Sequence, residues 1–131
     1  MRNVFPKIGF SEIERIEHIK RIGFLISILE RNGISVIASF ISPFVQSREF
    51  VRNQCENFVE IFVSASLEEC ENRDVKGLYK KARSGVIKDF TGIDSPYEIP
   101  ENPELVIDTE KLSIEQSTQQ VLNYIYEKFG G

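Results

Sequence analysis

Arg73, Lys76, Lys80, Lys81, Arg83 and Lys88 stand within sixteen positions of a chain whose net charge is −4. Gly77 and Gly85 punctuate the run. Cations gathered into one glycine-interrupted segment of an acidic protein suit an anionic ligand, because ammonium and guanidinium donors hold phosphate- or sulfate-like oxygens at close range. A basic helix simply exposed to water is the plain alternative. The stretch that follows, "FTGIDSPYE" at residues 90–98, speaks against it, since a solvated face has no use for this mixture of aromatic and turn-forming residues.

Around that segment the composition sets bounds. With 131 residues, 41% of them hydrophobic and 27% charged, the chain is sized for one modest core, and a single domain over 1–131 is expected. The opening "MRNVFPKIGFSEIER" has no apolar stretch of signal-peptide type, and no apolar run approaches the roughly eighteen residues of a membrane span. A cytoplasmic protein without membrane contact is expected. Acidic balance argues against a nucleic-acid partner, whose binding domain is usually basic. Two cysteines, Cys55 and Cys70, lack C-x-x-C spacing, and one histidine cannot complete a zinc site with them. They read as buried free thiols, and no metal site is expected.

The elements that must carry these residues alternate in type. Ser11 and Glu14 form an S-x-x-E capping box, Ile13, Ile16, Ile19, Ile22, Ile26 and Leu29 recur at spacings of three and four, and Asn32-Gly33 closes the helix. "ISVIASFIS" (34–42) is a continuous β-branched run of the kind a parallel strand covered on both faces shows. Ser42 is placed to cap, and Pro43 to open, a helix through "FVQSREFVRNQCEN" (44–57). "FVEIFVSA" (58–65) reads as a second strand, Ser66 and Glu69 as another capping box, and "PELVIDT" (103–109) as a third strand. A last amphipathic helix begins at Ser113, with Ile114, Val121, Leu122, Ile125 and Phe129 on its apolar face. Helices alternating with strands predict an α/β domain in three layers around a mainly parallel sheet. Ligands of such sheets bind at the carboxyl ends of the strands, here "FISP", "VSAS" and "VIDT".

"GFSEIERIEHIKRIG", "FISP" and above all "RDVKGLYKKARSGVIKDFTGIDSPYEIPENPEL" resemble the successive signatures of adenylylsulfate kinases. These are P-loop enzymes that use ATP to phosphorylate the ribose 3′-hydroxyl of adenosine 5′-phosphosulfate in sulfate assimilation. The resemblance runs from Arg2 to the final helix. It implies the P-loop kinase fold, ATP with Mg2+ as the phosphoryl donor, adenosine 5′-phosphosulfate as the acceptor, and a homodimer. Two of the family's signatures are not found in the 131 residues: the G-x-x-x-x-G-K-[ST] loop, and the D-G-D segment with the carboxylate expected to act on the 3′-hydroxyl. The fold is therefore expected to be incomplete at its N-terminus, and the chain to hold the acceptor half of the site and the lid.

In the resemblance, Arg2 and Arg15 pair with the phosphosulfate, and Phe10 and Phe90 sandwich the acceptor adenine. His18, where the family more often has asparagine, lies one helical turn from Arg15 and hydrogen-bonds the base or ribose. Ile41 and Ser42 meet the acceptor nucleotide with their backbone. The stretch from about Arg73 to Phe90 is the lid, hinged at Gly77 and Gly85; Lys80 contacts the acceptor, and Arg73, Lys76 and Lys81 face the ATP side. By residue type alone Arg15 is a solvated helix residue, Phe10 a core ring and His18 a structural histidine, so these roles rest on the resemblance. Two further readings stay open: a non-catalytic remnant that binds nucleotide or a partner subunit, and a kinase for a related nucleotide.

Overall fold

The protein is described from a computed structural model, which covers residues 9 and 11–130. Arg2 and Phe10 lie outside the described residues. The chain packs as two compact units, Met1–Phe58 with Lys88–Ile99, and Val59–Ile87 with Pro100–Gly131.

The first unit is built on two helices. Helix α1, Glu12–Arg31, begins as expected: Glu14 N–H donates to Ser11 Oγ, and the Glu14 carboxylate accepts the Ser11 N–H in return. It ends at Asn32 and Gly33, where Gly33 takes a φ of 76° that suits glycine, and Ile34 N–H donates back to the Leu29 carbonyl. Helix α2, Val45–Gln54, packs on it. Ile16, Ile19 and Ile22 of α1 are buried, as are Phe44 and Val51. The two helices approach closely at Gly23, where a Cβ would lie 2.6 Å from Val51 Cγ2.

Two expectations for this unit are corrected. Residues 34–42 form no strand, and Ile37 is 94% and Ile41 67% exposed. A β-branched run becomes a strand only when neighbours take its N–H and C=O groups, and among the described residues no strand pairs with it. Ser42 does not cap α2 and Pro43 does not open it. The chain turns at Ser42 (φ 42°), the N-cap position falls to Phe44, and the first free amide, that of Val45, donates instead to the Glu98 carboxylate at 2.5 Å.

The second unit holds the sheet. Strands β1, Ile61–Ser64, and β2, Leu105–Asp108, pair in parallel with Ile61 opposite Leu105 and Ser64 opposite Asp108. Helices α3, Leu67–Arg73, and α4, Leu78–Arg83, follow β1. Helix α5, Ile114–Phe129, follows β2 and packs on it, opened by the capping box of Ser113 and Gln116. The apolar face expected for α5 is only partly used: Val121 and Ile125 are half-buried, whereas Ile114, Leu122 and Phe129 face solvent. Cys55 and Cys70 are free and half-buried rather than buried. The result is a mixed α/β protein with a parallel sheet.

Candidate functional site

In the first unit, the segment 90–98 gathers the candidate acceptor residues. Arg15 projects from the first turn of α1, and its Nη1 donates to Thr91 Oγ1 at 2.5 Å, next to Phe90. Phe90 itself sits in a turn organised by Asp94, whose carboxylate accepts the N–H of Asp89 at 2.9 Å and of Phe90 at 2.5 Å. That turn lets Asp89 hold a φ of 55°, because two charge-assisted bonds to one carboxylate fix the peptide on either side. Its ring is half-exposed, the state a stacking platform needs.

The same segment reaches the Ser42 turn. Arg48, on α2, donates from Nη1 to the Ser42 carbonyl and from Nη2 to the Glu98 carbonyl, both at 2.7 Å. Glu98 N–H donates to the Pro43 carbonyl at 2.8 Å. His18 is 5% exposed and meets the Phe40 ring edge-on at 5.9 Å. Its burial on the inner face of α1 follows from its place between Ile16 and Ile19.

The second unit carries the cations. Arg73 closes α3 and is engaged by Glu69 Oε1 at 2.7 Å, the Thr109 carbonyl at 2.8 Å and Thr109 Oγ1 at 3.0 Å. Asp74 then starts α4 from outside it: its two carboxylate oxygens accept the N–H groups of Tyr79 at 3.1 Å and Lys80 at 3.0 Å. Burial acts to raise the Asp74 pKa, but these amides prevail and hold its carboxyl below the ordinary value. Lys76, Lys80 and Lys81 are exposed on and before that helix. Gly77 (φ 63°) and Gly85 (φ 73°) bracket α4, and both occupy the left-handed region where a side chain is strained. Burial, and after it the Cys70 side chain, pushes the Tyr79 phenol up to about 12, so it stays protonated.

Of the candidates named from the sequence, Arg15 and Phe90 are linked through Thr91, Ile41–Ser42 are tied to the end of the same segment, and the lysines lie in the other unit. Arg48, Asp74, Asp94 and Glu98, which organise these turns, were not among the candidates. Asp74 stands three residues outside the Gly77 N-cap, away from the position a capping pattern marks, and Arg48 and Glu98 are fifty residues apart; neither case carries a local signal.

A parallel strand pair flanked by helices, with exposed lysines on and before α4, is the build of an α/β protein. The adenylylsulphate kinase family model matches residues 2–108. The adenylyl-sulfate kinase of a Picosynechococcus species is 52% identical over 125 residues, which are 95% of this chain and 71% of that protein. Among solved structures, the Mycobacterium tuberculosis APS kinase CysC in complex with AMPPNP and APS superposes with a TM-score of 0.88 at 37% identity, over 95% of this chain and 74% of that one. The hexameric APS kinase of Thiobacillus denitrificans matches with a TM-score of 0.68 at 31% identity, over 97% of this chain and 21% of that one. The chain belongs to the adenylylsulfate kinase family, transferases of P-loop kinase fold that use ATP.

Proposed function

We propose that the described residues form the acceptor side and lid of an enzyme that phosphorylates adenosine 5′-phosphosulfate at its 3′-hydroxyl. The observation that carries this is the convergence on segment 90–98: the Arg15 guanidinium bonds Thr91 beside the Phe90 ring, and the Ser42 turn is bonded to Glu98. A charged fork beside an aromatic platform suits a ligand with an anionic end and a planar base. In this reading Arg2 and Arg15 hold the phosphosulfate, Phe10 and Phe90 take the adenine between them, His18 lines the site, and Ile41 and Ser42 offer their backbone. Lys80 serves the acceptor and Lys76 and Lys81 the ATP side. Arg73 anchors the lid's base through Glu69 and Thr109, and residues 73–90 move about Gly77 and Gly85.

Support for the ligands comes from the Mycobacterium tuberculosis relative, solved with AMPPNP and APS. Exposed lysines fit the phosphates of ATP electrostatically. In this reading the Mg2+ that accompanies ATP would be held by the nucleotide's phosphates, where it would neutralise charge developing in the transfer. A homodimer is proposed from the open apolar groove of about 560 Å3 along α1, lined by Phe24, Leu25, Ile28 and Phe50. Among the described residues no helix is long and apolar enough to cross a membrane.

The test is Phe90→Ala beside Arg15→Lys in a version extended by the N-terminal segment of the Picosynechococcus relative. Loss of stacking should weaken adenosine 5′-phosphosulfate binding by about 1–3 kcal/mol, and loss of the planar fork should raise the KM for the same nucleotide. ATP binding should change much less for both. Equal losses for the two nucleotides would overturn the acceptor assignment.

A further inference from the structure

We infer that Arg48 and Glu98 are positioning residues, a clamp that sets the Ile41–Ser42 turn in the shape that receives the acceptor nucleotide without touching it. The inference rests on the proposed acceptor role of that turn. Ser42 has a φ of 42° although it is not glycine, a conformation that an L-residue keeps only when its surroundings impose it. The surroundings are specific. One guanidinium bridges two main-chain carbonyls, Ser42 on one side and Glu98 on the other, each at 2.7 Å. Glu98 closes the bridge with its N–H on the Pro43 carbonyl at 2.8 Å and its carboxylate on the Val45 N–H at 2.5 Å.

Four bonds therefore lock residues 42–45 to residue 98, and Phe44, 2% exposed, seats the turn in the core. At the start of α2 the Glu98 carboxylate takes the first free amide, that of Val45. The bond from Arg48 to the Ser42 carbonyl adds nothing to that cap; what it holds is the peptide at Ser42. Because Glu98 ends the segment that begins at Phe90, the clamp also ties the stacking ring and the backbone turn to one strip of chain. The planar fork presents a separate nitrogen to each carbonyl in a fixed geometry; a lysine ammonium is a single point of donors and cannot keep both bonds in that arrangement.

The experiment is a titration of the 131-residue chain with adenosine 5′-phosphosulfate, read by calorimetry and by the amide NMR signals of Ile41 and Ser42. The parent should bind, with both amides responding. Arg48→Lys should keep its helix content and lose some melting temperature with the lost bond, while affinity falls about tenfold, and the Ser42 amide should be displaced before any ligand is added. Where Arg48→Lys does not fold, Arg48→Gln takes its place. Parent-like affinity in the Arg48 variant, with the parent's Ile41 and Ser42 amides responding, would overturn the clamp alone. A parent that fails to bind, or binds with both amides silent, would overturn the acceptor site itself and the clamp with it.

Discussion

Glu30 lies in the last turn of α1, where the helix dipole disfavours a negative charge, yet its carboxylate accepts the N–H of Asn57 at 2.7 Å and of Glu56 at 3.1 Å. The Asn57 amide is the main cause, burial opposing it, that holds this carboxyl below its ordinary value of 4.5. A depressed carboxylate stabilises the fold above its unfolded pKa and loses that contribution as pH falls through the folded one. Glu30→Gln should therefore melt lower than the parent at neutral pH, with the gap closing as pH falls below the ordinary carboxyl value of 4.5 and through the depressed folded one. Calorimetric melts across that window check it; a gap independent of pH would show that the charge is irrelevant. The same change removes the negative charge that, after burial, pushes the Cys55 thiol up, so Cys55 should alkylate faster in the variant. Contacts of this kind mark the limit of reading residues from sequence. Arg15 and Phe90 can be named as candidates because a family motif surrounds them, whereas Glu30 and Arg48 owe their partners to tertiary approach across 26 and 50 positions.

At the scale of elements, local chemistry decided what could be foreseen. The capping box of Ser11, and at Ser66 the half in which its Oγ accepts the Glu69 N–H, appear where the sequence places them, because the partners lie within one turn. Residues 34–42 carry an equally strong apolar signal and still form no strand, since a strand is completed by neighbours rather than by its own composition. The α1–α2 packing depends on a residue with no side chain: Val51 fills the space a Gly23 Cβ would need. Gly23→Ala should destabilise the protein by about 1–3 kcal/mol through overpacking, despite alanine's better helix propensity. Denaturant melts of this variant beside Gly23→Ala/Val51→Ala, which reopens the space, decide the matter. Recovery in the double variant is expected; a stabilised single variant would mean that the helices slide apart freely.

For the whole molecule the weightiest feature is apolar surface left in water. Ile37 and Ile41 are exposed on the segment 34–42, and Phe24, Leu25 and Ile28 on α1. Surface of this extent in one stretch is the usual mark of an interface, and an apolar β-branched segment without pairing partners is prone to add to another chain. We predict that the 131-residue chain self-associates in a concentration-dependent way, and that Ile37→Lys shifts it toward monomer without lowering its melting temperature. The 131 residues also contain no G-x-x-x-x-G-K-[ST] loop, the element that cradles the β- and γ-phosphates of ATP. The chain by itself should thus turn over no ATP, while a version extended by the N-terminal segment of the Picosynechococcus relative, which this chain covers to 71% of its length, should do so and melt more sharply. Sedimentation and an assay for ATP-dependent 3′-phosphorylation, run on both, separate the outcomes. Robust turnover by the 131 residues would mean that other side chains supply the phosphate contacts. A sharply melting monomer would mean that the exposed isoleucines find cover within one chain.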